Sequence, residues 1–138
     1  MCGYDEWKKE NKTKLKRKMV IYVDVDETVA ITPENRDYNQ SIPNKEMISN
    51  INRLAHMGHE IHYYTARGSG SGKDWFNVTY DQLVYWGCKF FGLTMGKPMY
   101  DFIIDDRSLR PEETEWLIKT TQKMMCDEID ADIDAEII

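Results

Sequence analysis

The run Met19-Val20-Ile21-Tyr22-Val23-Asp24-Val25-Asp26-Glu27-Thr28 constrains this chain more than any other stretch, because an apolar, β-branched segment ends abruptly in two aspartates and a threonine. A strand covered by helices needs no polar alternation, so the run predicts a buried parallel strand. In open α/β sheets ligands bind beyond the carboxyl ends of the strands, so acids placed there point to chemistry rather than to solubility. Asp24 and Asp26 are two apart and would face opposite ways on a continuing strand. They can reach one site only as the chain leaves it.

Further elements follow in order. Val29 to Ile42 reads as an irregular loop with Pro33, Asn35 and Asp37, and Pro43 as a helix-opening residue. Met47, Ile48, Ile51, Leu54 and Ala55 recur at helical spacing, with Gly58 where a helix ends. Glu60 to Thr65 is a second strand, laid parallel beside the first by a right-handed connection. Arg67 to Lys73 is a glycine-serine loop. It is no nucleotide-kinase loop, since Arg67 stands where the first glycine is required and Asp74 follows Lys73 in place of Ser or Thr. A flexible connection able to fold over substrate is expected there. Lys73 or Asp74 opens a second helix with Phe76, Thr79, Tyr80, Leu83 and Trp86 as its buried stripe, closed by Gly87. Lys89 to Leu93 is a short strand, Gly96-Lys97-Pro98 a turn, and Met99 to Ile104 a last strand ending in Asp105 and Asp106. Pro111 to Cys126 is helical, with Trp116, Leu117, Thr120 and Met124 available to pack.

These elements predict an α/β fold, a Rossmann-like three-layer α/β/α sandwich with a mainly parallel sheet. A length of 138 residues allows one core, placed here at residues 19–126, between a basic N-terminal arm (1–18) and an acidic C-terminal tail (127–138). The arm carries Lys8, Lys9, Lys12, Lys14, Lys16, Arg17 and Lys18, and reads either as a solvated lead-in or as a contact for a polyanion. The tail's isoleucines recur every four residues, which leaves a helical extension, disorder or docking open. A net charge of -6 argues against tight non-specific nucleic-acid binding. No apolar run is long enough to span a bilayer, and no apolar signal-peptide region follows the N-terminal charges, so no membrane partner and a cytoplasmic location are expected. Cys2, Cys88 and Cys126 match neither a disulfide framework nor a zinc site. His56, His59 and His62 are three apart, but Gly58 breaks the helix between them and no shared metal site is expected.

Four stations, in order, carry a family resemblance. Asp24-Val25-Asp26-Glu27-Thr28, Ile61-His62-Tyr63-Tyr64-Thr65, Gly96-Lys97-Pro98 and Phe102-Ile103-Ile104-Asp105-Asp106 resemble the four motifs of the haloacid dehalogenase (HAD) superfamily. Most of its members are Mg-dependent phosphatases that form an aspartyl-phosphate. The intervals between stations leave no room for a cap domain, so an uncapped HAD-like core is implied. Such a site must accept a large substrate directly or be roofed by another subunit of a homo-oligomer.

The resemblance implies a role for each matching residue. Asp24 would be the nucleophile and Asp26 the general acid/base, with Mg²⁺ held by Asp24, the Asp26 carbonyl, Asp105 and Asp106. Thr65 would bind a phosphoryl oxygen through its hydroxyl and amide, beside Ala66, and Lys97 would neutralise developing charge and hold Asp24. Arg67 and Thr28 are further phosphate-side candidates, Arg67 forking onto phosphate or substrate hydroxyls. Many members have glycine where Glu27 stands. The second aspartate, whose loss would signal a mutase or dehalogenase, is present as Asp26.

Within the superfamily, Thr65-Ala66-Arg67-Gly68, Gln82-Leu83, Trp86-Gly87, and Gly96-Lys97-Pro98 leading to Asp101 and Ile104-Asp105-Asp106 are similar to small phosphatases of capsule and surface-polysaccharide biosynthesis. That subgroup implies a small phosphorylated sugar, polyol or amino-polyol as substrate. Asp105-Asp106-Arg107-Ser108 also resembles the last motif of nucleic-acid 3'-end phosphatases, for which the basic arm would hold a backbone. A non-catalytic interaction module on the same fold is the third alternative.

Overall fold

The structure, a computed structural model, describes Lys12 and residues 14–137, with side chains in the last helix up to Asp127. The first part of the expected basic arm, with Lys8, Lys9 and Cys2, lies outside the described residues, as do the side chains of the tail beyond Asp127.

Strands β1 (Val20–Asp24), β4 (Glu60–Tyr64) and β5 (Gly92–Thr94) form a parallel sheet in the order β1-β4-β5. The register pairs Val20 with Glu60 and Asp24 with Tyr64, so both strands end at one level. Between β1 and the first long helix lies a small antiparallel ribbon, β2 (Ala30–Ile31) with β3 (Ile42–Pro43), where an irregular loop was expected. Pro43 belongs to this ribbon. The helix it was expected to open, α1 (Lys45–His56), starts one residue after Asn44, whose side chain accepts the Met47 amide at 3.2 Å and satisfies one of the free amides of the first turn. Helix α2 (Phe76–Tyr85) follows β4, and α3 (Thr114–Ile137) closes the chain after a single 3₁₀ turn. The expected boundary after Cys126 is not a break, since α3 continues through it.

A single apolar core joins these pieces. Val23, Ile61 and Tyr63 point from the sheet into a cluster with Ile48, Ile51 and Leu54 of α1, Leu83 of α2, and Leu117 and Ile118 of α3. Alternation along the strands sends the intervening residues the other way, and there Val20 and Tyr22 stay 61% and 57% exposed. Tyr22 stacks on His62 at 4.9 Å, and His62 meets Phe91 at 5.2 Å. Among the described residues no helix lies on this face. The observed architecture is a mixed α/β fold with a parallel three-stranded sheet, compatible with a Rossmann-like plan, and the expected third layer would need a cover for this aromatic face.

Two expectations fail for identifiable reasons. Met99 to Ile104 forms no strand, and Phe102 and Ile104 are 91% and 102% exposed. A β-prone segment becomes a strand only by pairing, and this one has no partner. In α2 only Thr79 and Leu83 of the expected stripe are buried, while Phe76 and Tyr80 stack on each other at 6.0 Å on its outer side. The histidines are engaged separately: His59 Nδ1 accepts the Met19 amide at 3.1 Å, and His62 Nε2 lies 2.9 Å from Glu60. No helix among the described residues is long and apolar enough to cross a membrane.

Burial makes the core quantitatively testable. Leu54 is 1% exposed and Tyr85 is 89% exposed. Leu54→Ala removes the transfer energy of a buried side chain and leaves a cavity, so it is expected to cost ~2–5 kcal/mol in urea denaturation. Tyr85→Ala is expected to stay within ~0.5 kcal/mol of the parent.

Candidate active site

The site begins where β1 stops. Past Asp24 the chain turns so tightly that the Val25 carbonyl accepts the amides of Thr28, Val29 and Ala30 at 3.3, 3.0 and 2.9 Å. Glu27 sits in this turn with φ +62°, a left-handed conformation in which glycine is the relaxed residue. The turn delivers Asp24 and Asp26 to the same end of the sheet.

Asp24 meets Lys97 there, with Nζ 3.2 Å from Oδ1. Lys97 is positioned through the backbone: its amide donates to the Thr65 carbonyl at 3.0 Å, and the Thr65 amide donates to the Thr94 carbonyl at 3.1 Å. The ends of β1, β4 and β5 are thereby linked. Burial pushes the Asp24 carboxyl above its ordinary pKa, Lys97 opposes this, and the nearby charge of Asp26 adds to it. Burial works against the Lys97 ammonium, yet Asp24 and Tyr100 outweigh it and hold that pKa above its ordinary value.

Asp26 meets Arg67. Its Oδ1 accepts from Arg67 Nη2 at 2.8 Å, from Arg67 Nε at 3.2 Å and from the Thr32 hydroxyl at 2.7 Å, and its Oδ2 accepts from Arg67 Nε at 3.0 Å. Arg67 is therefore not the outward phosphate fork expected from its loop position. It is 2% exposed, and its remaining donors go to Thr79, Gln82 and Ser41. Thr79 and Gln82 lie three apart on the inner side of α2, and two polar residues on a packed helix face were the available signal for a buried charge beyond them.

The other predicted residues divide. Thr28 and Asp105 line one cleft of about 950 Å³ with Asp24 and Lys97. Thr65 is fully buried; its hydroxyl accepts the Arg67 amide at 3.1 Å, and its own amide, expected to bind phosphate, is engaged in the sheet. Ala66 holds the adjoining turn, its carbonyl accepting the Ser69 amide at 2.9 Å. The loop from Arg67 is tied down rather than loose: the Gly72 amide donates to Gly68 at 2.8 Å, Ser69 Oγ donates to the Lys97 carbonyl at 2.8 Å, and a Cβ on Gly68 would fall 2.1 Å from the Lys73 oxygen.

The four expected metal ligands are not brought together. Asp106 is exposed and pairs with Lys14 of the basic arm at 3.6 Å, while Asp105 accepts the Arg107 amide at 2.9 Å. Among the described residues no three His, Cys, Asp or Glu side chains are grouped to hold a metal ion. The carboxylate oxygens of the cleft are of the type Mg²⁺ takes, but their arrangement makes no cage, because the segment carrying Asp105 and Asp106 is not paired to β1.

No family model matches the chain, and no curated protein matches it. Among solved structures, a crystal structure of an MCSG target from Vibrio cholerae is similar, with a TM-score of 0.63 and 25% identity over 79% of this chain and 99% of that one. The likeness bears on the α/β fold.

The half-buried pair of Asp24 and Lys97 gives a signed pH prediction. Asp24 ionises less readily folded than unfolded, so the fold is free of this penalty below the unfolded pKa and bears it fully once pH has risen through the folded one. With chelator present, Asp24→Asn is expected to raise the urea midpoint at pH 7, and its advantage to shrink as pH falls into the carboxylate range. A variant no more stable than the parent at pH 7 contradicts this account of Asp24.

Proposed function

We propose that the chain is a phosphomonoester hydrolase of HAD type, with an uncapped HAD-like core, acting through an aspartyl-phosphate on a small sugar, polyol or amino-polyol phosphate. The observation that carries the reading is the pairing of Asp24 with Lys97 at 3.2 Å where β1 ends, on a cleft that runs along β1, with a second carboxylate, Asp26, two residues on. The four motifs support it.

The chemistry follows from these groups. The Asp24 carboxylate attacks phosphorus, the bond from phosphorus to the alkoxide oxygen breaks, and Asp26 gives that oxygen its proton. Water then attacks the acyl phosphate, and Asp26 takes one of its protons as phosphate leaves and Asp24 is restored. Lys97 offsets the charge that gathers beside Asp24, where partial burial strengthens its effect. Mg²⁺ enters through the family resemblance and the hard oxygen donors Asp24 and Asp105 of the cleft, where it would neutralise phosphoryl charge. Its cage calls for a third carboxylate that the described residues do not gather.

A nucleic-acid 3'-phosphate is the second substrate class, favoured by one observation. Lys14, Lys16, Lys18, Arg107 and Arg110 line the cleft that contains Asp24. A backbone held by these cations would release counterions, so its affinity would fall steeply with salt and on deleting residues 1–18. A sugar phosphate would be indifferent to both.

The test is phosphate release from sugar, polyol, amino-polyol and nucleic-acid 3'-phosphates, with and without Mg²⁺. Metal-dependent release that falls at least ~10³-fold in Asp24→Asn is expected, the scale on which a lost nucleophile is felt. No release above that variant from any member would favour the non-catalytic module.

A further inference from the structure

Arg67 is a buried cation that touches no open surface of the cleft, yet it forms the most extensive polar network around the site. Its five N–H bonds are all engaged. Nε–H is shared between the two oxygens of Asp26, at 3.2 and 3.0 Å. One Nη2–H goes to Asp26 Oδ1 at 2.8 Å and the other to Ser41 Oγ at 3.3 Å. The two on Nη1 go to Thr79 Oγ1 at 3.1 Å and Gln82 Oε1 at 2.7 Å.

These acceptors are themselves held. The Thr79 hydroxyl donates to the Trp75 carbonyl at 2.7 Å, which turns a lone pair towards Arg67. The Gln82 amide donates to the Tyr38 carbonyl at 2.6 Å, which fixes Oε1 as the side facing Arg67. The Tyr38 ring lies 4.7 Å from the guanidinium carbon. Three segments thus hold one plane in one orientation.

That plane treats the two oxygens of Asp26 unequally. Oδ1 accepts three donors, counting the Thr32 hydroxyl at 2.7 Å, and has little room for a proton. Oδ2 accepts a single donor among the described residues, the shared Nε–H at 3.0 Å. We propose that Arg67 is a positioning residue for proton transfer, which locks Asp26 so that Oδ2 carries the proton to the leaving oxygen while Oδ1 stays bound to the scaffold. The inference rests on the phosphatase reading and assigns Arg67 to Asp26 in place of the phosphate.

The leaving group separates this role from a merely structural one. An alkoxide departs only with a proton, whereas p-nitrophenolate departs without one. kcat/KM covers the steps up to phosphoryl transfer to Asp24, so it is insulated from the later hydrolysis, which is common to both esters. Arg67→Met is expected to lower kcat/KM for a primary alkyl phosphate by ~10²–10⁴-fold, the range of general acid catalysis. For p-nitrophenyl phosphate a fall of less than about tenfold is expected, since that ester forgoes the same proton transfer. Gln82→Met, which removes one anchor of the guanidinium while leaving its charge, is expected to show the same bias on a smaller scale and carries the test if Arg67→Met does not fold. Equal losses on both esters, or no loss on the alkyl ester, would overturn the positioning role. A parent enzyme inactive on both esters would instead overturn the phosphatase reading and this inference with it.

Discussion

A guanidinium removed from water has to satisfy every one of its donors, because an unpaired buried charge costs several kcal/mol. Arg67 meets that demand with groups from the turn after β1, the segment around the β2–β3 ribbon and helix α2. The convergence of these segments at the strand ends follows from it. A lysine could not replace this arginine, since a point charge on a flexible stem cannot fork onto a carboxylate while bonding three other acceptors. Much of the architecture around the site is thus arranged about a residue that need not touch substrate.

The second acid is held differently. Asp24 lies on a strand whose pairing with β4 fixes its height to the residue, and its partner Lys97 arrives by a backbone chain through Thr65 and Thr94. One carboxylate is thus bound rigidly by a fork and the other faces a single movable ammonium within a cleft. Two acids two residues apart, in such unlike surroundings, suit unlike tasks. An acid that must give up and recover a proton gains from fixed direction, and a nucleophile gains from an exposed lone pair and a nearby cation.

Much of this was legible in the sequence. The strands at Val20 and Glu60 and the helix from Lys45 follow from apolar runs and helical spacing, and the acids fall at the end of β1 as the run that precedes them implies. Met99–Ile104 was misjudged because apolar, β-branched composition reports a capacity for pairing and not the presence of a partner. Arg67 was misjudged because a loop arginine beside glycines looks solvated. What buries it are Thr79, Gln82 and Ser41, which are distant in sequence and polar in a way that surface residues also are. Thr65 adjoins Lys97 through its carbonyl, but its amide belongs to the sheet, a competition that sequence does not display.

The central claim is that the Asp24 carboxylate forms a covalent bond to phosphorus, and the direct measurement is acid-quenched labelling with a ³²P-phosphomonoester followed by peptide mapping. The account predicts an acid-stable, hydroxylamine-labile label on the peptide containing Asp24, absent from Asp24→Asn. Turnover of the same ester with no label on the protein, or with label on another residue, would contradict it.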